Sequence, residues 1–421
     1  MKKIIVAKGI LIRIVSMCFS FVANIVLLDM ILRNEGSEFF AKYIWIISLS
    51  LLIPFADLGL GIVIMNHFVD RQLSTIKNEE TQELVTRSIT SIAIFCILIW
   101  FAMSLIIELT EKFATPWSIS SRNSSLAILF ILIWLISAPL SLGARKLQAE
   151  GFNNYVISGQ ALIPFTTFFM SVLCLKFLPS FPEIIVIIPA FSYLISTTIL
   201  FLKSGIGEFV DYSAIKVWSF SERKIWKTAI ASLLLTSNLA LIFQLPKYIF
   251  GQENHAENLV YYGVLMAFLL PILSVISIPG SWLSVQMRVL TSPIELKRIL
   301  LHTVRWSYLV AILMSFGLFG VSTLLKELDY LSPNLSQLFL CIFVIFAYPL
   351  WIVPALAISD EKSLISSAKF SLLILISMCT MLAFSHFLNI NARLLIYFGI
   401  AAFGQSIFFS RIVLKKINSV S

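Results

Sequence analysis

Inside an apolar run, Asn238, Gln244 and Lys247 stand six and then three residues apart, with Pro246 directly before the lysine. Helical periodicity puts Gln244 and Lys247, three residues apart, on one face, and the proline removes a main-chain donor and bends the helix. A lysine on that face attracts phosphate as a point charge if it meets a hydrated cavity. If the face meets the outer interface, the same lysine anchors the helix. Charge at the centre of a span costs roughly 2.5–3.5 kcal/mol on insertion scales, so charged side chains within spans face protein or water-filled space.

The same reasoning selects a few further positions. Arg13 lies inside the first apolar run and either lines the cytoplasmic mouth of a cavity or snorkels to the headgroups. Asp29, near the other end of that run, reads as an interfacial group or as one facing a pathway. Asp57 sits in Leu51-Leu52-Ile53-Pro54-Phe55-Ala56-Asp57-Leu58-Gly59-Leu60-Gly61, where Pro54 interrupts the helical ladder while Gly59 and Gly61 permit bending or close approach. An acid there is a candidate protonatable switch for gating or ion coupling. The alternative is a structural pair with Arg71 or Arg145 at the cytoplasmic edge. Pro271 and Pro279, the latter followed by Gly280, suggest a broken helix of the kind that flanks a substrate path.

Enzymatic patterns do not appear. The chain has no H-E-x-x-H, no G-x-S-x-G and no G-x-x-x-x-G-K-[ST]. His67, His255, His302 and His386 are scattered, which argues against a metal cluster, and no cofactor is expected. Cys18, Cys96, Cys174, Cys341 and Cys379 all fall in apolar runs and read as small packing residues.

These positions must be carried by membrane-spanning helices. Of the 421 residues, 59% are hydrophobic and only 13% charged, against about 25% charged in soluble domains. The charges lie between about twelve apolar runs, each near the roughly 20 residues a helix needs to cross a bilayer. Backbone groups in lipid must be satisfied internally, so runs of this length form a helical bundle. The expected spans are 8–32, 40–66, 88–108, 124–145, 155–177, 184–203, 228–250, 258–282, 305–325, 336–358, 364–387 and 392–413. The basic start Lys2, Lys3 and Lys8 precedes a run too long for a cleaved leader, which reads as a retained first span.

With the N-terminus in the cytoplasm, Lys and Arg favour the cytoplasmic intervals by roughly threefold, as the positive-inside rule requires. Both termini are then cytoplasmic. This distribution assigns the net charge of +9 to membrane topology, with no nucleic-acid partner. The longest polar interval divides the chain into an N-terminal six-helix lobe (1–203), a cytoplasmic linker (204–227) and a C-terminal six-helix lobe (228–421), a layout common among transporters. Outer intervals are short, which favours transport over chemistry on the outer face.

Three segments carry a family resemblance. Phe55-Ala56-Asp57-Leu58-Gly59-Leu60-Gly61 resembles the D-x-G-x-G element of the Wzx-type polysaccharide flippases, a branch of the multidrug/oligosaccharidyl-lipid/polysaccharide exporter superfamily. Leu147-Gln148-Ala149-Glu150-Gly151-Phe152-Asn153-Asn154-Tyr155 resembles the loop after their fourth span. Lys247-Tyr-Ile-Phe-Gly251 leading to Tyr261-Tyr262-Gly263 resembles the stretch joining their seventh and eighth. Family members often place an acid before the basic residue of the seventh-span element, whereas Pro246 stands here, so no ion-coupling role carries over to that position.

The resemblance implies an all-α protein of about twelve transmembrane helices in two six-helix lobes around a central cavity. It implies a bacterial inner-membrane flippase that moves an undecaprenyl-pyrophosphate-linked oligosaccharide to the periplasmic leaflet by alternating access, for O-antigen or another surface polysaccharide. Membrane lipid, and a polymerase and chain-length regulator of the same pathway, are the partners that follow. Arg13 and Lys247 are then candidates for the pyrophosphate, and Asn24, Asn238, Gln244 and Gln405 for hydrogen bonds to the glycan. Asp57, Gly59, Gly61, Pro271 and Pro279 are candidates for gating or ion coupling. The competing readings are an O-antigen polymerase or ligase, which would need an extended periplasmic loop, and a small-solute exporter of the same superfamily, which would favour acids in the cavity.

Overall fold

The computed structural model describes residues 2–52, 57–73, 78–112, 121–178, 180–211, 223–252, 256–276, 293–330, 332–349, 361–385 and 387–418. Thirteen helices are formed among them: α1 (Lys2–Ser48), α2 (Leu60–Leu73), α3 (Asn78–Lys112), α4 (Ser121–Leu140), α5 (Leu142–Ala149), α6 (Asn153–Phe177), α7 (Ile188–Ser204), α8 (Arg223–Gln252), α9 (Ala256–Ile276), α10 (Pro293–Glu327), α11 (Leu335–Ala347), α12 (Glu361–Phe384) and α13 (Ile390–Asn418). Six stretches are long and apolar enough to cross a membrane: Ile14–Ser48, Asn78–Leu105, Ser125–Ala149, Asn153–Phe177, Pro182–Ser204 and Leu301–Glu327.

Two expected boundaries are corrected. The interval between the first and second spans is helical on both sides of a single break at Gly36, whose φ of 83° and ψ of 174° lie outside helical geometry. A glycine suffices there because it alone adopts that conformation without strain. The second span, expected as one run over 40–66, instead passes into a 3-10 turn at Leu49–Leu52 and restarts as α2. The expected linker 204–227 is also structured at both ends. Ile206–Phe209 forms a 3-10 turn and α8 begins at Arg223.

The chain divides into two compact units. The first comprises Met1–Phe19, Ala41–Leu233 and Gly251–Asn254; the second comprises Ser20–Phe40, Leu234–Phe250 and His255–Ser421. Helices α1 and α8 each contribute residues to both.

Lipid tails are as apolar as leucine, so helices in a bilayer associate through close packing of small residues and not by expelling water. The first unit follows this rule. Gly143 of α5 lies flush against the backbone of Phe201 in α7, and Gly159 of α6 lies under the Leu200 side chain. Ser196 of α7 donates to the Gly159 carbonyl at 2.7 Å. Ser137, Ser171, Ser192 and Ser196 are all buried, whereas Ile97, Leu98, Phe101, Phe169 and Leu202 are exposed. In the second unit α12 packs on α13, α10 and α13 on α11, and α9 on both α10 and α11. Asn334 caps α11 through a reciprocal bond with Gln337, whose side-chain amide also donates to the Tyr261 carbonyl of α9 at 2.9 Å.

The turn from α5 into α6 is a Schellman cap. Phe152 N–H donates to the Leu147 carbonyl at 2.8 Å and Gly151 N–H to the Gln148 carbonyl at 3.1 Å, with Gly151 at φ 83°. Lys146 and Glu150 pair at 3.0 Å across it. The second family-like segment is thus a helix terminator. A Cβ at Gly151 would meet no atom within 4 Å, so Gly151→Ala should cost only the left-handed backbone penalty, about 1–2 kcal/mol. A thermal melt of the purified variant checks this as a lowered midpoint.

Candidate substrate-binding site

In α8 the sequence forces a defect. Pro246 has no N–H to offer the Ile242 carbonyl, so the ladder opens beside the Lys247 position. In a bilayer every freed carbonyl needs a donor. Two tyrosines supply hydroxyls to the carbonyls on either side: Tyr262 of α9 donates to Phe243 at 3.1 Å, and Tyr397 of α13 to Leu241 at 3.4 Å. Both rings are fully buried.

Lys247 is carried by this braced bend and is 5% exposed. Among the described residues no carboxylate or hydrogen bond engages it. One turn earlier, the Gln244 side-chain oxygen is buried with no donor among the described residues. One turn later, Phe250 meets Tyr262 edge-on at 6.0 Å and lies under the Arg393 guanidinium at 5.0 Å. Arg393, at the start of α13, is 3% exposed and donates to the Leu382 carbonyl at 3.0 Å. Arg393 is a residue of this site that the sequence analysis did not single out. Its position one residue inside the last expected span was the available sign that it is buried.

The other expected residues distribute as follows. Asn24 is half-buried on α1. Arg13, Asn238 and Gln405 belong to helices, but their side chains lie outside the described residues. Helix α9 continues on both sides of Pro271, while Pro279 lies outside the described residues. Asp29 is buried and pairs with Arg33 at 2.9 Å; Arg33 also meets Asp329. Asp29 is therefore held in a pair at the end of its span.

The D-x-G-x-G element lies in the first unit. Asp57 Oδ1 accepts the Gly59 N–H at 2.8 Å, closing an Asx turn, and Leu60 N–H donates to the Asp57 carbonyl at 2.9 Å. Leu58 and Gly59 both have positive φ, 54° and 71°. A Cβ at Gly61 would come within 2.7 Å of Asp57 Oδ2 and 3.3 Å of Arg145 Nε, so the missing side chain leaves room for acid and guanidinium to sit side by side. Arg145, not Arg71, is the arginine beside Asp57 across Gly61. Arg71 instead bonds Asn78 and lies over Phe209.

Solved structures match along nearly the whole length. A MATE transporter in the straight conformation aligns with a TM-score of 0.61 at 15% identity, covering 99% of this chain and 95% of that one. The MATE multidrug transporter DinF-BH aligns with a TM-score of 0.65 at 14% identity, covering 99% and 96%. The fold is that of the MATE transporters. A MOP superfamily transporter from Pyrococcus furiosus, described as having a binding pocket of reversed polarity, aligns with a TM-score of 0.57 at 14% identity over 98% and 95% of the two chains. No protein-family model matches the chain, and no curated relative does. The MATE fold comprises about twelve helices in two lobes. Among the described residues thirteen helices correspond to twelve expected spans because α1 and α2 together cover the first two, while α4 and α5 are one span broken after Pro139.

Proposed function

We propose that this protein is a MOP-superfamily transporter that moves an undecaprenyl-pyrophosphate-linked oligosaccharide from the cytoplasmic to the periplasmic leaflet of a bacterial inner membrane by alternating access. The observation that carries the reading is Lys247, a cation buried within a span with no counter-charge among the described residues. Such a residue is costly unless a ligand supplies the missing charge, and a pyrophosphate does so. Gln244, whose oxygen has no donor among the described residues, is suited to accept from a glycan hydroxyl. By contrast, the buried acid Asp29 and the partly buried Asp57 each already have an arginine beside them, which leaves them poorly placed to bind a soluble cation. The Pyrococcus transporter, described as having a binding pocket of reversed polarity, supports a charge preference other than that of the multidrug exporters. In this reading 1–203 and 228–421 act as the two lobes, both termini are cytoplasmic, and a polymerase and chain-length regulator act on the delivered units.

A small-solute exporter is the second reading, favoured by the likeness to multidrug transporters. Deletion distinguishes the two. A flippase mutant should accumulate lipid-linked repeat units on the cytoplasmic leaflet and lose surface polysaccharide, with unchanged susceptibility to cationic dyes. Dye hypersensitivity with normal surface glycan would establish the exporter. Unpolymerised units already exposed to the periplasm would indicate a polymerase.

A further inference from the structure

The Asx turn at Asp57 has a second neighbour. A Cβ on Gly59 would fall 2.0 Å from the Ala229 carbonyl oxygen and 3.0 Å from the Leu233 N, so the turn is seated directly on the backbone of α8. Only a residue without a side chain, at positive φ, makes that approach. The turn is in turn held from behind. Asp57 Oδ1 fixes the Gly59 N–H, Asp57 Oδ2 sits with Arg145 in the gap left by Gly61, and Arg145 is tied to Gln148 of α5 at 3.3 Å. Helix α8 is the one that continues beyond Leu233 to carry Gln244, Pro246 and Lys247.

We infer that Asp57 is a positioning residue, whose side chain shapes the turn on which the first part of α8 is seated and so fixes the helix that carries Lys247. Its role requires an acceptor at Oδ1 and not a titrating proton. The inference makes Asp57 structural through the turn it closes, a role distinct from both the protonatable switch and the arginine pair read from the sequence, and its link to transport rests on the function proposed above.

Asparagine keeps the acceptor that closes an Asx turn, and alanine removes it. The test compares Asp57→Asn, Asp57→Ala and Gly59→Ala for restoration of surface polysaccharide in the deletion strain at matched protein levels. In parallel, a spin label at Lys227→Cys, an exposed position near the start of α8, reports local mobility in the purified full-length chain. The labelled protein also carries Cys18→Ser and Cys379→Ser and retains the three buried cysteines.

Asp57→Asn should stay within about twofold of the parent in glycan and keep its line shape. The two alanine variants should lose about tenfold in glycan and give a narrowed, mobile spectrum. Asp57→Asn as inactive as Asp57→Ala with an unchanged spectrum would overturn the inference in favour of a titrating carboxylate. An unchanged spectrum in both alanine variants would overturn it outright. If the parent chain itself restores no glycan, the function proposal fails, and the spectra alone still decide the positioning role.

Discussion

Lys247→Met should make the purified protein more heat-stable while abolishing export. Methionine nearly matches the lysine stem and removes a buried charge that has no counter-charge among the described residues, so the melting midpoint rises. The same change deletes a charge-assisted contact to phosphate of about 1.5–3 kcal/mol, roughly tenfold to a hundredfold in affinity. Surface glycan should fall accordingly at matched protein levels. Lys247→Arg keeps the charge and should retain part of the export. Opposite movement of stability and function distinguishes a binding residue from a packing one. If the methionine variant exports normally, the pyrophosphate is not bound at Lys247.

Gly143→Ala should strongly impair folding. The added methyl would lie 2.5 Å from Phe201 Cα and 2.9 Å from its N, and backbone atoms within a helix cannot swing aside. Helices α5 and α7 must separate, which places the cost at or above the upper end of the roughly 1–3 kcal/mol typical of overpacking. Low yield of folded protein and a lowered melting midpoint are expected, read by size-exclusion profile and thermal melt. Gly317→Ala in α10 is the control: nothing lies within 4 Å of its Cβ position, and better helix propensity should contribute up to about 1 kcal/mol.

The spans were legible because lipid imposes one constraint on every residue of a run, so that length and apolarity suffice. The breaks were only partly legible. Pro54, Gly59 and Gly61 marked the second span as bent, but the chain around Gly36 looked like a polar loop. Its charged residues sit on exposed helix ends, which sequence polarity does not separate from a loop. In the candidate site Lys247 was legible as a residue type, and its burial was not. Exposure depends on what faces α8, and the residues that brace the bend are remote in sequence. Tyr262 lies 19 residues from its partner and Tyr397 lies 156 from its own. Neither has local periodicity that distinguishes it from other buried aromatics. The Asp57–Arg145 neighbourhood was one of two named pairings, and only packing of α2 on α5 selects it.

The segment Ser20–Phe40 belongs to the same compact unit as the C-terminal half of the chain. During synthesis it must wait for residues 41–233 to leave the ribosome before its companions emerge, about 10–40 s at roughly 5–20 residues per second. For that interval half of the first helix stands in the bilayer without its final neighbours. The Asp29–Arg33 pair spans one turn of that helix, so the acid is neutralised by its own segment from the moment of insertion. Asp329, which arrives last, has only to dock on a cation already in place. Biogenesis of the second unit therefore depends on a nascent helix that arrives with its charges already matched.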